Sequence, residues 1–187
     1  IGAIYIDNEN LSTLNKDDFR EQCGVVLQDG YIFSGTIAEN IALSEKKPEL
    51  DKLITASKIS CIYDYINSLP LAFNTKIGKT GVELSGGQKQ RILISRAIYK
   101  APKIIFFDEA TSSLDANNER QIMDNLNDFF VGKTVVVIAH RLSTVKNADQ
   151  IIVLENGKIV EVGNHTQLTV IKGKYFELVK NQLELGT

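Results

Sequence analysis

Short runs of apolar residues alternate along the chain with stretches in which apolar residues recur every three or four positions. The apolar runs predict strands, at residues 24–27, 104–107, 134–139, 150–154 and 158–162. The helical spacing predicts helices, over residues 51–65, 85–99, 117–130 and 174–183, with a short one near Ser143. Because strands alternate with helices, the pattern predicts an α/β fold with a mostly parallel sheet.

Turn-forming residues separate these segments. Alternating apolar residues at the start of the chain are followed by Asp7-Asn8, which predicts a strand that runs into a turn. Asn156-Gly157 lies between the last two predicted strands and predicts a hairpin. Ser85 is the expected N-cap of the helix over residues 85–99, and Pro102 follows the end of that helix.

Composition and charge narrow the function classes. The chain has 187 residues, enough for one large domain or a core with a subdomain, and its net charge is only -2. Nothing in this balance indicates a nucleic-acid partner. The longest apolar runs, such as residues 135–139, are far shorter than the ~20 residues of a membrane span. Cys23 and Cys61 have neither disulfide nor metal-site spacing, which favours two inert thiols in a reducing, cytosolic setting.

Two carboxylates follow the strand predicted at residues 104–107. That strand is apolar on both faces, which is typical of the middle of a parallel sheet. Asp108 and Glu109 emerge at its carboxyl end, where open α/β sheets bind their ligands. The alternative is a strand end capped by solvated acids. In nucleotide hydrolases such a pair holds Mg²⁺ and orients the attacking water.

A glycine turn precedes the helix over residues 85–99. Ser85-Gly86-Gly87-Gln88 places two residues without side chains at the helix start, where free N–H groups and the macrodipole favour anions. A plain helix entry is the alternative for a lone Gly-Gly pair.

Polar residues also end two other predicted strands. Gln28 follows the strand at residues 24–27, and His140 follows the strand at residues 134–139. Either could be a structural residue, but strand ends of a parallel sheet share one edge, so we expect these sites and the glycine turn to converge there. His165 is predicted to be a surface residue.

Five segments together resemble the motifs of the ATP-binding cassette (ABC) family, in family order and over essentially the whole chain. They look like its Q-loop, signature, Walker B, D-loop and H-loop, at residues 26–29, 84–88, 104–109, 112–115 and 139–141. Residues 32–41 resemble the exporter branch, which includes multidrug, lipid and bacteriocin or peptide exporters. Lys79 stands where the acidic loop of that branch usually has Glu.

The resemblance implies a P-loop NTPase-like (RecA-like) core with an inserted α-helical subdomain. It assigns residues 1–35 and 102–187 to the core and residues 36–101 to the helical signature subdomain. It further implies ATP and Mg²⁺ as cofactors, and two kinds of partner: a second nucleotide-binding domain, paired head to tail around two ATP, and the transmembrane domains of an exporter. The intact protein would then work at the cytoplasmic face of the cell membrane, while this segment itself would be soluble.

Residue roles follow from the same resemblance. Asp108 would bind Mg²⁺ through water, and Glu109 would act as general base or as the group that positions the attacking water. Gln28 would sense both Mg²⁺ and the transmembrane partner, and His140 would contact the γ-phosphate. The signature residues would clamp the γ-phosphate held by the second domain: Ser85, Gly86, Gly87 and Gln88. Asp115 would lie on the dimer seam.

A phosphate loop of the form Gly, four residues, Gly-Lys-Ser/Thr is absent from the 187 residues. Gly78-Lys79-Thr80 and Gly132-Lys133-Thr134 come near it, but Phe73 and Asn127 stand where the first glycine belongs. We therefore expect the family's Walker A loop to precede this segment, and the segment alone to be inactive. Two alternatives stay open: a soluble ABC ATPase not coupled to a membrane, and a non-catalytic fragment.

Overall fold

The computed structural model describes residues 2–43, 45–79, 81–108, 116–138 and 145–185. The chain divides into two compact units, Ile1–Val136 and Val137–Thr187. The predicted boundary between a core and a helical subdomain over residues 36–101 remains a prediction. No helix within the described ranges is both long and apolar enough to cross a membrane.

The first unit contains the parallel strands. Its strands are β1 (Tyr5–Ile6), β2 (Glu9–Asn10), β3 (Cys23–Val26), β4 (Gly35–Thr36), β5 (Lys76–Ile77), β6 (Ile104–Asp108) and the start of β7 (Thr134–Ile138). β6 lies between β3 and β7 in a three-stranded sheet, and it runs parallel to β3. This confirms the central position predicted for the strand that leads to Asp108.

Helices make up most of the remainder of this unit. They are α1 (Lys16–Glu21), α2 (Ile37–Ala42), α3 (Leu50–Ile59), α4 (Tyr63–Ser68), α5 (Gly86–Ile98) and α6 (Ala116–Phe130). α5 is the central element, because it packs against α2, α3 and β3. Its residues Ile92 and Ile94 are completely buried, which at ~25 cal/mol per Å² of apolar surface makes this helix a major source of stability.

One face of the parallel sheet packs against α5, and within the described part of the chain the side chains on the other face are partly exposed. Gly24 lies against the end of α5 so closely that an added Cβ would sit 2.4 Å from the carbonyl oxygen of Ala97. On the opposite face Val25, which pairs with Phe106, is 48% exposed, and Phe106 is 37% exposed. Parallel sheets normally bury both faces, so this apolar face is available for further contacts.

The helix predicted over residues 51–65 is wrong as a single element, because α3 ends before α4 begins. The N–H of Ile62 donates to the carbonyl oxygen of Ser57 at 2.9 Å, and the N–H of Cys61 donates to the carbonyl oxygen of Lys58 at 3.1 Å. Cys61 adopts φ +55. This is a Schellman ending, and it lets Ile62 turn into the core, where it is fully buried. The apolar spacing continues through the break because both helices face the same core.

The second unit is small and has its own core. β8 (Ile151–Glu155) and β9 (Lys158–Gly163) form the predicted antiparallel hairpin, followed by α7 (His165–Ile171) and α8 (Lys174–Leu185). Its buried residues are Ile151, Val153, Leu168, Tyr175 and Val179. The predicted short helix near Ser143 lies outside the described residues.

The prediction of His165 as a plain surface residue is wrong. Asn164 caps α7 and thereby turns His165 inward. The Nδ1 of His165 lies 2.8 Å from the hydroxyl oxygen of Tyr175, and the imidazole is half-buried. The hydrogen bond is with a residue ten positions later, on another helix, which no local pattern reveals.

Candidate functional site

Gln28 and Asp108 lie at the same edge of the parallel sheet. In the parallel register of β3 and β6, Val26 pairs with Phe107. Gln28 and Asp108 follow this pair and therefore lie at the same edge of the sheet. Gln28 is exposed and Asp108 is half-buried. A carboxylate and an amide oxygen at the carboxyl end of parallel strands are suitable ligands for Mg²⁺ directly or through water.

Three predicted site residues cannot be placed in this geometry. Glu109, Asp115 and His140 lie outside the described residues. Among the described residues, no group of three His, Cys, Asp or Glu side chains is arranged to hold a metal ion. Gln28 and Asp108 are therefore the predicted metal-site residues that the structure describes, and a metal site built on them stays a prediction.

The glycine turn forms the capped start of α5. The Ser85 hydroxyl accepts from the N–H of Gln88 at 3.2 Å, and the Gln88 side chain accepts from the N–H of Ser85 at 2.9 Å. The N–H of Lys89 bonds to the carbonyl of Ser85 at 2.9 Å. These bonds form a capping box, and they leave the N–H groups of Gly86 and Gly87 as the free donors of the first turn.

The space in front of this turn is open. A Cβ added to Gly86 would meet no atom within 4 Å. The first turn of α5 contains no acidic residue. Two free N–H groups at the positive end of a 13-residue helix suit an anion with several oxygens, such as a phosphate group.

The glycine turn begins α5, whose later residues pack beside β3. α5 contacts β3 through its C-terminal part, and Leu93 lies against Gly30 just after the strand. Gly86 lies seven residues before Leu93, roughly 10 Å further along the helix axis. Gln28 and Asp108 therefore share one edge of the sheet as expected, and the convergence of the glycine turn with that edge stays a prediction.

An exposed aromatic pair near Gln28 was not recognised from the sequence. Tyr31 and Phe33 are 58% and 49% exposed, and their rings meet edge to face with centroids 5.1 Å apart. Large exposed aromatic side chains that are held in place are typical of protein interfaces. The signal in the sequence was two aromatic residues at alternate positions in a polar loop directly after a candidate site.

The two cysteines show no sign of reactivity. Burial raises the pKa of the Cys23 thiol, and burial is also the main reason that the pKa of the Cys61 thiol is raised. A raised pKa keeps both thiols protonated at neutral pH and thus poor nucleophiles. This agrees with the expectation of inert cysteines.

Polar residues lie at the strand-end edge of the parallel sheet, and the start of α5 suits an anion. Both are features of an α/β protein of the P-loop NTPase type. A family model described as ABC transporter matches residues 1–112. Since that match covers more than half of the 187 residues, the chain belongs to the ABC transporter family. This confirms the family and the fold class predicted from the sequence.

Known proteins resemble the chain along nearly its whole length. ABC transporter B family member 2 of Dictyostelium discoideum is 43% identical over 181 residues, which are 97% of this chain and 13% of the relative. Leukotoxin translocation ATP-binding protein LktB of Mannheimia glucosida is 49% identical over 167 residues, 89% of this chain and 24% of the relative.

Among solved structures, a bacterial Atm1-family ABC exporter with ATP bound matches with a TM-score of 0.91 at 37% identity. The match covers 98% of this chain and 32% of that chain. The chain thus spans between 13% and 32% of the length of these three proteins.

Proposed function

We propose that these 187 residues belong to the ATP-hydrolysing domain of an ABC exporter. The observation that carries the proposal is the glycine turn at the start of α5, where Gly86 is exposed and an added Cβ would meet no atom within 4 Å. The exporter names of the relatives support the same conclusion. The intact protein would then act at the cytoplasmic face of a membrane and couple ATP hydrolysis to export.

The residues divide the chemistry between two sites. At the strand-end edge, Asp108 would hold Mg²⁺ through water, and Gln28 would contact the same hydration shell. Mg²⁺, when bound, supplies positive charge that offsets the charge of the phosphate oxygens. Glu109 would accept a proton from the attacking water, and His140 would donate a hydrogen bond to the γ-phosphate.

The glycine turn would act on the nucleotide of a partner domain. Because Gly86 is exposed and an added Cβ would meet no atom within 4 Å, its N–H would be open to a γ-phosphate held by a second copy of the domain. Ser85, Gly87 and Gln88 would complete this contact, with Asp115 on the seam between the two domains. Such an arrangement makes hydrolysis depend on pairing of the two domains.

The aromatic pair would contact the membrane-spanning part of the exporter. Tyr31 and Phe33 follow Gln28 within five residues, so a partner seated on them would lie beside the strand-end edge. Movement of that partner could then be sensed by Gln28. This gives a short path between the transport machinery and the nucleotide.

Replacement of Glu109 by Gln in the full-length exporter tests the enzymatic proposal. We expect ATP turnover to fall by about 10²-fold or more while ATP affinity changes little, since a general base typically contributes 10²–10⁴-fold. Asp124→Asn, on the exposed side of α6, is the matched control. Near-normal turnover in the Glu109 variant would contradict the assignment.

We propose that the 187-residue chain by itself does not hydrolyse ATP and binds it weakly at best. It contains no Gly-x₄-Gly-Lys-Ser/Thr segment, and therefore lacks the backbone cradle and lysine that hold the β- and γ-phosphates. Calorimetric titration with Mg-ATP is the test. Micromolar affinity would contradict this proposal and indicate another phosphate site.

A further inference from the structure

A side chain of α6 caps the end of α3. Asn125 is a half-buried residue of α6. Its Nδ2 donates to the carbonyl oxygen of Ile59 at 3.2 Å, and it lies 3.5 Å from the carbonyl oxygen of Lys58 and 3.3 Å from the Sγ of Cys61. The last carbonyl groups of a helix have no partner within the helix, so this amide satisfies from outside what α3 cannot satisfy itself.

Residues 58–61, here called the α3–α4 turn, are also bonded to α5. The hydroxyl oxygens of Ser60 and Ser95 lie 2.6 Å apart, and both residues are fully buried. The Nη1 of Arg91, one helical turn before Ser95, donates to the carbonyl oxygen of Cys61 at 3.4 Å. The α3–α4 turn therefore connects α6 to α5.

This connection holds α5 on the face opposite to the one that meets the sheet. Leu93 packs against Gly30, just after β3. Ser95 follows two positions later, which is about 200° around the helix axis, so it lies on the opposite face. Contact on one face alone would allow the helix to tilt, whereas contacts on opposite faces fix the direction of its axis. The position of the glycine turn, at the start of α5, depends on that direction.

The helix that carries Asn125 is itself packed against the strand that leads to Asp108. The Phe130 ring of α6 meets the Phe107 ring of β6 edge to face, with centroids 5.5 Å apart. Leu126, next to Asn125, is completely buried. A series of contacts therefore runs from β6 through α6 and the α3–α4 turn to α5, and the Asn125 amide makes the step between α6 and the turn.

We propose that Asn125 is a positioning residue for ATP hydrolysis, which fixes α5 and its glycine turn relative to β6 and Asp108. The inference rests on the proposed function. In a head-to-tail pair, each domain would place its strand-end edge on one nucleotide and its glycine turn on the other, so the spacing of the two within a domain decides whether both nucleotides are enclosed correctly. The alternative is a plain helix cap, which would stabilise α3 and leave turnover by the folded protein unchanged.

Asn125→Leu in the full-length exporter tests the proposal, since leucine keeps a similar volume but donates no hydrogen bond. We expect kcat for ATP to fall about 10-fold, because a displacement of ~1 Å caused far from the reacting atoms can cost ~10²-fold. KM for ATP should stay close to that of wild type, since the substitution removes no residue that is proposed to hold ATP. Asn127→Leu, an exposed position of the same helix, is the matched control and should keep both constants. Equal kcat for the two variants, at a temperature where thermal unfolding shows both to be folded, would overturn the proposal.

Ser60→Ala breaks the next step of the same series of contacts. The Ser95 hydroxyl keeps its hydrogen bond to the carbonyl oxygen of Arg91 at 3.0 Å, so the substitution leaves no buried hydroxyl without a partner. We expect kcat to fall here as well. The double variant with Asn125→Leu should be no slower than the slower single variant, because residues in one series of contacts are not additive. Effects on kcat that multiply in the double variant would mean that the two residues act independently, and would overturn the proposed connection.

The same measurements separate this inference from the proposed function. A wild-type exporter that does not hydrolyse ATP, or a Glu109→Gln variant with near-normal turnover, would contradict the proposed function. Unchanged kcat in Asn125→Leu beside an inactive Glu109→Gln variant would contradict the positioning role alone. A lower unfolding temperature of Asn125→Leu with wild-type kcat would show that Asn125 is only a helix cap, and would likewise overturn the positioning role.

Discussion

Arg96 donates from its Nε to the backbone carbonyl oxygen of Asn40 at 2.7 Å, which ties α5 to α2. The same guanidinium donates to the Asn40 side-chain oxygen at 3.2 Å and to the carbonyl of Tyr31. Burial lowers the pKa of this guanidinium, although it stays charged at every physiological pH. One residue in the helix that begins with the glycine turn therefore also holds the aromatic pair in place.

Replacing Arg96 with Met should destabilise the chain and loosen the aromatic pair. The substitution keeps an apolar stem of similar length but leaves the backbone carbonyl oxygens of Asn40 and Tyr31 without the Arg96 donor, for an expected loss of about 2–3 kcal/mol in the free energy of unfolding. Urea denaturation measures it. Arg96→Lys keeps the charge but loses the several N–H donors of the guanidinium, so its free energy of unfolding should lie between those of wild type and Arg96→Met. Equal free energies of unfolding for all three proteins would contradict the role of the guanidinium.

Gly86→Ala should separate folding from function. Its Cβ meets no atom within 4 Å, and Ala in a helix is favoured over Gly by about 0.5–1 kcal/mol, so the chain should be as stable as wild type or more so. ATP-dependent pairing of the full-length domains should nevertheless weaken, since the methyl group enters the space in front of the free N–H groups. Gel filtration of a hydrolysis-deficient background with and without ATP measures pairing.

Ser85→Ala is the matched comparison for that experiment. It removes the N-cap and should cost about 1 kcal/mol of stability, the reverse of the Gly86 effect. A loss of pairing in Gly86→Ala together with lowered stability would mean that the glycine is needed for the fold, and the proposed phosphate contact would lose its support.

The capping box of α2 should make stability depend on acid pH. The pKa of the Glu39 carboxyl lies below its ordinary value of 4.5, first because of the hydrogen bond from the Thr36 N–H and second because of the Thr36 hydroxyl. A carboxyl with a lowered folded-state pKa stabilises the protein above its unfolded-state value, and this contribution disappears as pH falls through the folded-state value. Glu39→Gln should remove this part of the pH dependence, as measured by thermal unfolding between neutral and acid pH, and identical profiles would refute it.

The uncovered face of the parallel sheet should make the isolated chain self-associate. Val25, Phe106 and Val136 each expose more than a third of their area on strands of this sheet, and contiguous apolar surface promotes association. Sedimentation at several concentrations should show oligomers that Val25→Thr combined with Phe106→Thr reduces. Val131→Thr is the control, because Val131 is 79% exposed but lies beyond the end of α6. Equal self-association of the Val25→Thr/Phe106→Thr variant and the Val131→Thr control would show that this face does not cause the association.

The sequence by itself determined the elements whose local pattern and tertiary role agree. β6 and the hairpin of β8 and β9 have apolar or alternating runs that serve both local geometry and burial, and they were predicted to within two residues. Ser85 was recognised as a cap because capping involves side chains and N–H groups only three residues apart. The order of motifs also determined the family, because a family match needs no distances.

Only the tertiary structure decided how these parts relate in space. The break between α3 and α4 is invisible in the apolar spacing. Ile62 lies in the break and is buried, as are Leu53 in α3 and Ile66 in α4. His165 meets Tyr175 on the next helix, and Gly78 lies against the backbone of Phe33, through contacts that no local pattern specifies. The parallel register brings Gln28 and Asp108 to one edge of the sheet, and packing places the later residues of α5, not its glycine start, beside β3. Local patterns report which face of an element is buried, but the partner on that face is chosen by packing among distant segments.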